Sequence, residues 1–149
     1  MRRLSGVLLA GAMLMLPAFA RDTQAAQQQK FTLDGDVAMW SVAIRPDKTA
    51  DFETILNRVK EALTKVGTPE AKQQLAGWRV LRGAKMPDGN IIYTHIINPV
   101  PGADYNLLQL LYTAVTDPAE QQKLFELYKG AFAANLGVNF GPIVVDMSK

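Results

Sequence analysis

Strand-forming and helix-forming segments alternate along this chain, and their order constrains the fold more than any other feature of its sequence. The first segment, residues 37–44, is rich in β-formers and ends just before Pro46, which has no amide hydrogen to donate to a strand ladder. The next segment carries apolar side chains at helical spacing: Phe52, Ile55, Leu56, Val59, Leu63 and Val66. Gly67, with Pro69 shortly after it, predicts the end of that helix.

A β-hairpin is predicted in the middle of the chain. Residues 73–85 and residues 90–98 are both rich in strand-forming side chains, and the pair Asp88-Gly89 lies between them. An Asp-Gly pair between two such segments is typical of a tight turn joining antiparallel strands.

A second helical region follows, and its sequence predicts two separate helices. Asp104 is a candidate cap for the first, whose apolar positions are Tyr105, Leu107, Leu108, Leu111 and Val115. The sequence Asp117-Pro118-Ala119-Glu120 is a second start signal, with a capping residue, a proline and a glutamate three residues after the cap. The second helix has its own apolar stripe: Leu124, Leu127, Tyr128, Ala131 and Phe132. Gly137, Gly141 and Pro142 then predict a break before a last strand at residues 143–147.

The resulting order, βαββαβ, predicts an α+β fold. It is the order of the ferredoxin-like sandwich, in which the helices cover one face of an antiparallel sheet. The predicted strands, however, are apolar on both faces: Trp40 and Val42 alternate with Met39 and Ala43 in the first strand. Helices on one face cannot cover both, and a bare apolar face is rare in a monomer. We therefore expect a homodimer in which a second copy packs on the open face of the sheet.

The first twenty residues have the layout of a secretory signal peptide. A positive start at residues 1–3 precedes the apolar run 4–16 and an Ala-Phe-Ala cleavage pattern that ends at Ala20. The run is shorter than the roughly 20 residues that span a bilayer as a helix. We expect cleavage after Ala20, no stable membrane anchor in the mature protein, and a periplasmic or secreted location.

The sequence after the cleavage pattern predicts a flexible tether at residues 21–33 and a single domain at residues 34–149. The tether is rich in glutamine and has no apolar periodicity. The chain has 16 basic and 14 acidic residues, and cleavage removes two arginines, so the mature protein is balanced in charge. Without a basic run it offers no electrostatic footprint for nucleic acid.

The rarest residue types exclude several chemistries. The chain has no cysteine and one histidine, His95. This composition excludes disulfides, thiolate metal sites, thiol nucleophiles and multi-histidine metal centres within one chain. No metal site or cofactor is predicted. Ser41 and Ser148 are the only serines after the cleavage point, and neither lies in a G-x-S-x-G setting, which argues against a Ser-His-Asp hydrolase.

The candidate functional residues are aromatic. His95 and Tyr93 lie two positions apart, on one face of a predicted strand, and Trp78 lies on the neighbouring strand of the hairpin. Together with Trp40 they are predicted to line a cavity that binds a planar aromatic molecule, with His95 as a catalytic general base or oxygen-orienting group. The alternative interpretation makes His95 an interior or interface histidine with one hydrogen bond, and makes the tryptophans core residues.

The chain resembles the dimeric α/β-barrel group, which includes the antibiotic-biosynthesis-monooxygenase-like domains. The resemblance covers residues 37–147 and depends on the element order, the aromatic strand residues and the strand-to-helix entry RPDKTADFETILNRV. The stretches GADYNLLQLLYTAV and FELYKGAFA are similar to those of exported bacterial proteins of this shape that have no assigned activity. The resemblance implies a homodimer and a pocket for cofactor-free oxidation of a phenol or quinol. Haem-degrading relatives use a histidine as an axial iron ligand, which makes haem the alternative cofactor. Their histidine typically lies on a helix, whereas His95 lies on a predicted strand, and this difference argues against haem.

Two functional hypotheses follow from the sequence. In the first, the protein binds a small apolar or aromatic molecule between sheet and helices, with cofactor-free oxidation as the enzymatic version. In the second, it is a non-enzymatic dimerisation or protein-interaction module. The second predicts that conservative changes at His95 and Tyr93 affect stability alone.

Overall fold

The computed structural model describes residues 30–148, which form an α+β fold with a four-stranded antiparallel sheet and four α-helices. The strands are β1 (Val37–Ile44), β2 (Trp78–Lys85), β3 (Ile91–Ile97) and β4 (Phe132–Gly141). The helices are α1 (Thr49–Val66), α2 (Pro69–Gly77), α3 (Leu107–Ala114) and α4 (Pro118–Ala131). The predicted signal peptide and most of the predicted tether lie outside the described residues.

The strand order in the sheet is β2-β3-β1-β4, with β1 between β3 and β4. All three neighbouring pairs are antiparallel, so the predicted hairpin between β2 and β3 is confirmed. Its turn is supported by Asp88, whose carboxylate accepts a hydrogen bond from the backbone N–H of Asn90 at 3.0 Å. The central position of β1 explains why its side chains Trp40, Val42 and Ile44 are almost completely buried.

Helix α1 follows the predicted pattern. Its buried residues lie at helical spacing: Phe52, Ile55, Val59, Ala62 and Leu63. It ends at Gly67, which has a φ of 65° and donates its N–H to the carbonyl of Leu63 at 3.2 Å. A positive φ favours glycine because it has no Cβ, and this explains why the helix stops there.

Helix α2 corrects the sequence prediction that residues 73–77 belong to the first strand of the hairpin. Thr68 caps the helix, since its side chain accepts a hydrogen bond from the N–H of Ala71 at 3.2 Å. Pro69 occupies the first turn, where its missing N–H costs nothing. Strand β2 therefore begins at Trp78.

The last strand was also wrongly placed. The sheet is completed by β4 at Phe132–Gly141 and not by residues 143–147. Gly137 does not break the chain; it lies within β4 with a φ of 102°, where the pairing with β1 shifts register. A glycine at such an irregularity lets the strand continue. Residues 143–147 extend beyond the sheet, with Val144 89% and Met147 92% exposed.

The described domain begins before the predicted boundary at residue 34. The N–H of Phe31 donates to the carboxylate of Asp104 at 2.9 Å, and Leu33 is buried beside Tyr105 and Ile97. The capping prediction for α3 is corrected at the same place. Asn106 is the capping residue of α3, whereas Asp104 holds the N-terminal segment.

The two faces of the sheet differ in what covers them. On one face, Trp40, Val42 and Ile44 pack in a core with residues of α1, α3 and α4. The side chains that alternate with them point to the other face, which we call the open face. On the open face, Met39 of β1 is 48% exposed and Leu81 of β2 is 57% exposed.

Candidate functional site: an aromatic cluster beside a cleft

Three of the four predicted site residues are in direct contact on the helix-covered face of the sheet. His95 pairs with Trp40 across the β1–β3 ladder, and their rings stack with centroids 4.5 Å apart. Trp78 reaches the same histidine from β2, and its indole Nε1–H donates to Nδ1 of His95 at 3.0 Å. The pairing register of β1, β2 and β3 brings these side chains together, because side chains alternate along each strand and these three point to the same face of the sheet.

The hydrogen bond from Trp78 fixes the protonation state of His95. An indole N–H is only a donor, so Nδ1 of His95 must be the acceptor, and the hydrogen of the neutral ring lies on Nε2. The side chain is completely buried, and this burial lowers the pKa of His95 to about 4. Within the described residues Nε2 has no hydrogen-bond partner.

This geometry argues against His95 as a general base or an iron ligand. Each of those roles needs a free lone pair on an imidazole nitrogen. In the neutral ring the one available lone pair, on Nδ1, accepts the bond from Trp78. The arrangement does not fit axial ligation of haem, and it agrees with the interpretation of His95 as an interior histidine.

Tyr93, the fourth predicted residue, is held by a different element. Its hydroxyl donates to Oε1 of Glu53 on α1 at 2.5 Å, and its ring lies edge-on to Phe52 at 5.1 Å. Burial raises the pKa of Tyr93 to about 12, and the hydrogen bond to Glu53 and its charge act in the same direction. Glu53 also contacts Arg82 of β2 at 3.4 Å.

A cleft of about 580 Å³ lies between α1 and the edge strand β2. Its lining is Glu53, Leu56, Asn57, Val59, Lys60, Leu63, Leu75, Trp78 and Val80. Of the four predicted site residues, only Trp78 belongs to this lining. The cleft was not predicted from the sequence, because Leu75 comes from the unexpected helix α2. The one feature of the sequence that could have indicated the cleft is Leu56, an apolar residue at the margin of the buried stripe of α1.

The wall formed by α1 has a polar line and an apolar line side by side. Glu53, Asn57 and Lys60 follow one another at intervals of four and three residues, so they share one side of the helix. Leu56, Val59 and Leu63 form the apolar line next to it. The cleft therefore offers apolar contact to the body of a ligand and polar groups to one side of it.

Fold and site together define an α+β domain in which a buried aromatic cluster supports one wall of a partly apolar cleft. No protein-family model matches the chain, no curated protein is significantly similar to it, and no solved structure matches it significantly. Between residues 30 and 148, no helix combines the length and apolar character needed to cross a bilayer. Across the same residues, no three potential metal-ligating side chains form a group.

Proposed function

We propose that this protein is an exported binding protein that holds a small apolar or aromatic molecule in the cleft between α1 and β2. The observation that carries the proposal is a cleft of about 580 Å³ with Trp78 in its wall. Small-molecule sites are clefts of roughly 300–1,000 Å³ with mostly apolar linings and a few polar groups. Export is supported by the signal-peptide pattern of residues 1–20.

Trp78 is suited to a binding role because its orientation is already fixed. Its indole N–H donates to His95, and its ring contacts Tyr105 edge-on at 5.3 Å. A side chain that is ordered before binding loses little conformational entropy when the ligand arrives. His95 is then a positioning residue, which acts on the ligand only through Trp78.

The proposed architecture is a ferredoxin-like sandwich that forms a homodimer like that of the dimeric α/β-barrel group. The strand order β2-β3-β1-β4 supports it, as do the helical connections from β1 to β2 and from β3 to β4. The exposure of Met39 and Leu81 supports a second copy on the open face.

Cofactor-free oxidation, the enzymatic version of the proposal, receives less support than binding. It depends on a base that touches the ligand, and His95 neither lines the cleft nor has a free basic nitrogen. Binding is therefore the function that the geometry supports best. The second candidate is a protein-interaction module, which is favoured by the exposed apolar side chains of the open face.

The test uses an uncharged aromatic probe and two variants of neighbouring residues. We expect 3-phenylpropanamide to shift the NMR signals of Leu56, Leu75 and the Trp78 indole in the isotope-labelled mature protein. Val80→Trp fills the cleft from β2 and should abolish these shifts. Leu81→Trp adds the same ring on the opposite face of β2 and should leave them unchanged. Equal binding by both variants, or no binding of the probe at millimolar concentration, contradicts the proposal.

A further inference from the structure

We infer that the cleft selects organic anions, namely molecules with an aromatic or aliphatic body and one carboxylate that pairs with Lys60. This inference rests on the proposed function and adds the chemical class of the ligand. It depends on which charges of the cleft are already paired within the protein.

The acidic side chain of the cleft already has a cationic partner. Glu53 accepts a hydrogen bond from the hydroxyl of Tyr93 at 2.5 Å and contacts the guanidinium of Arg82 at 3.4 Å. Both contacts use Oε1 of Glu53, and the positive charge of Arg82 offsets the negative charge that a cationic ligand would meet. Glu53 is therefore poorly placed to attract a positive group.

The basic side chain of the cleft is free. Among the described residues, Lys60 has no carboxylate within salt-bridge distance. The next residue in sequence, Glu61, contacts Arg58 at 3.4 Å, and Arg58 also contacts Glu120 at 3.7 Å. The surface next to the cleft includes a further lysine, Lys65, which also has no carboxylate partner among these residues. Among the described residues that line the cleft and this neighbouring surface, the charged side chains without a salt-bridge partner are thus both lysines, and their charge favours an anion.

The position of Lys60 suits a ligand with separate apolar and charged parts. Lys60 lies seven residues after Glu53, which corresponds to about 10.5 Å along a helix. The apolar line of α1 runs beside it and continues to Leu63. The methylene stem of a lysine packs on apolar surface while its ammonium group stays at the margin. A ligand body between Trp78 and this apolar line can thus direct a carboxylate toward Lys60.

Three probes with the same ring and different head groups test the inference by isothermal titration calorimetry on the full mature protein. They are 3-phenylpropanoate, 3-phenylpropanamide and 3-phenylpropylamine, measured at low ionic strength because salt screens the pair. We expect the carboxylate to bind about fivefold more tightly than the amide, which is the size expected for a partly exposed ion pair. The amine should bind most weakly.

Two lysine variants assign the effect to one residue. Lys60→Gln should abolish the difference in affinity between the carboxylate and the amide. Lys65→Gln, a matched control outside the cleft lining, should keep most of the preference for the carboxylate, because Lys65 adds only to the surrounding charge. Equal affinities for the three probes, or tightest binding of the amine, would overturn anion selection while leaving the binding function standing. Absence of binding for all three would overturn both.

Discussion

At the residue scale, the hydrogen bond between Trp78 and His95 determines what both side chains can do. It occupies the lone pair of Nδ1, and complete burial keeps the imidazole neutral at neutral pH. The indole is held in place between His95 and the cleft. In the proposed binding function, His95 therefore acts by orienting Trp78. His95→Gln should keep this orientation without an imidazole, because an amide oxygen also accepts a hydrogen bond.

The buried histidine gives the protein a defined pH dependence of stability. Its pKa is about 4 in the folded protein and 6.5 in an unfolded chain, so the unfolded state binds more protons between these values. The stabilisation is complete above pH 6.5 and is lost as the pH falls toward 4. We expect the free energy of unfolding to fall by about 2 kcal/mol between pH 7 and pH 5.

Urea unfolding at both pH values checks this expectation, with His95→Gln as the control. The variant lacks the titrating group and should lose most of the decrease, while the carboxylates common to both proteins remain. An identical decrease in the two proteins would show that His95 is not the group responsible.

At the element scale, local chemistry predicted some elements and tertiary contacts determined others. The start of α4 was predictable because Asp117 caps it, accepting a hydrogen bond from the N–H of Glu120 at 3.1 Å. Strand β4 was not, because its sequence FAANLGVNFG has few strand-forming residues and its conformation comes from pairing with β1. Residues 143–147 have a stronger strand pattern but are paired with no strand among the described residues.

In the candidate site, too, one part could be predicted from local sequence and another part depends on tertiary contacts. The grouping of Trp40, Trp78 and His95 could be predicted because strand alternation places side chains on known faces. The cleft could not be predicted, because it depends on α2, a short helix with a weak apolar pattern that was missed. A pocket between two elements is a property of their packing, which no single segment of sequence encodes.

The irregularity in β4 leads to a prediction about Gly137. Its φ of 102° is unfavourable for any residue with a Cβ, although no atom lies within 4 Å of where that Cβ would be. Gly137→Ala should therefore lower the free energy of unfolding by about 1–2 kcal/mol through backbone strain alone. The matched control is Gly130→Ala in α4, where the added Cβ also meets nothing and helix propensity should stabilise by up to about 1 kcal/mol. Chemical unfolding of both variants measures the difference, and equal effects would contradict this backbone conformation at Gly137.

At the scale of the whole molecule, the open face is the surface on which the proposed second copy would pack. Met39 and Leu81 are about half exposed there, while the opposite face is covered by helices. A charge placed on a face that is buried between two sheets would lose its hydration without gaining a partner. Leu81→Lys should therefore convert the proposed homodimer into a monomer.

Light scattering coupled to size-exclusion chromatography measures this directly, and circular dichroism checks that the variant keeps its secondary structure. Val66→Lys is the control, since Val66 is 49% exposed at the end of α1, away from the open face, and a lysine there should leave the dimer intact. If the wild-type protein is a monomer at micromolar concentration, the second copy is the wrong occupant of the open face. The exposed apolar side chains would then favour the interaction module, in which a different protein covers the open face.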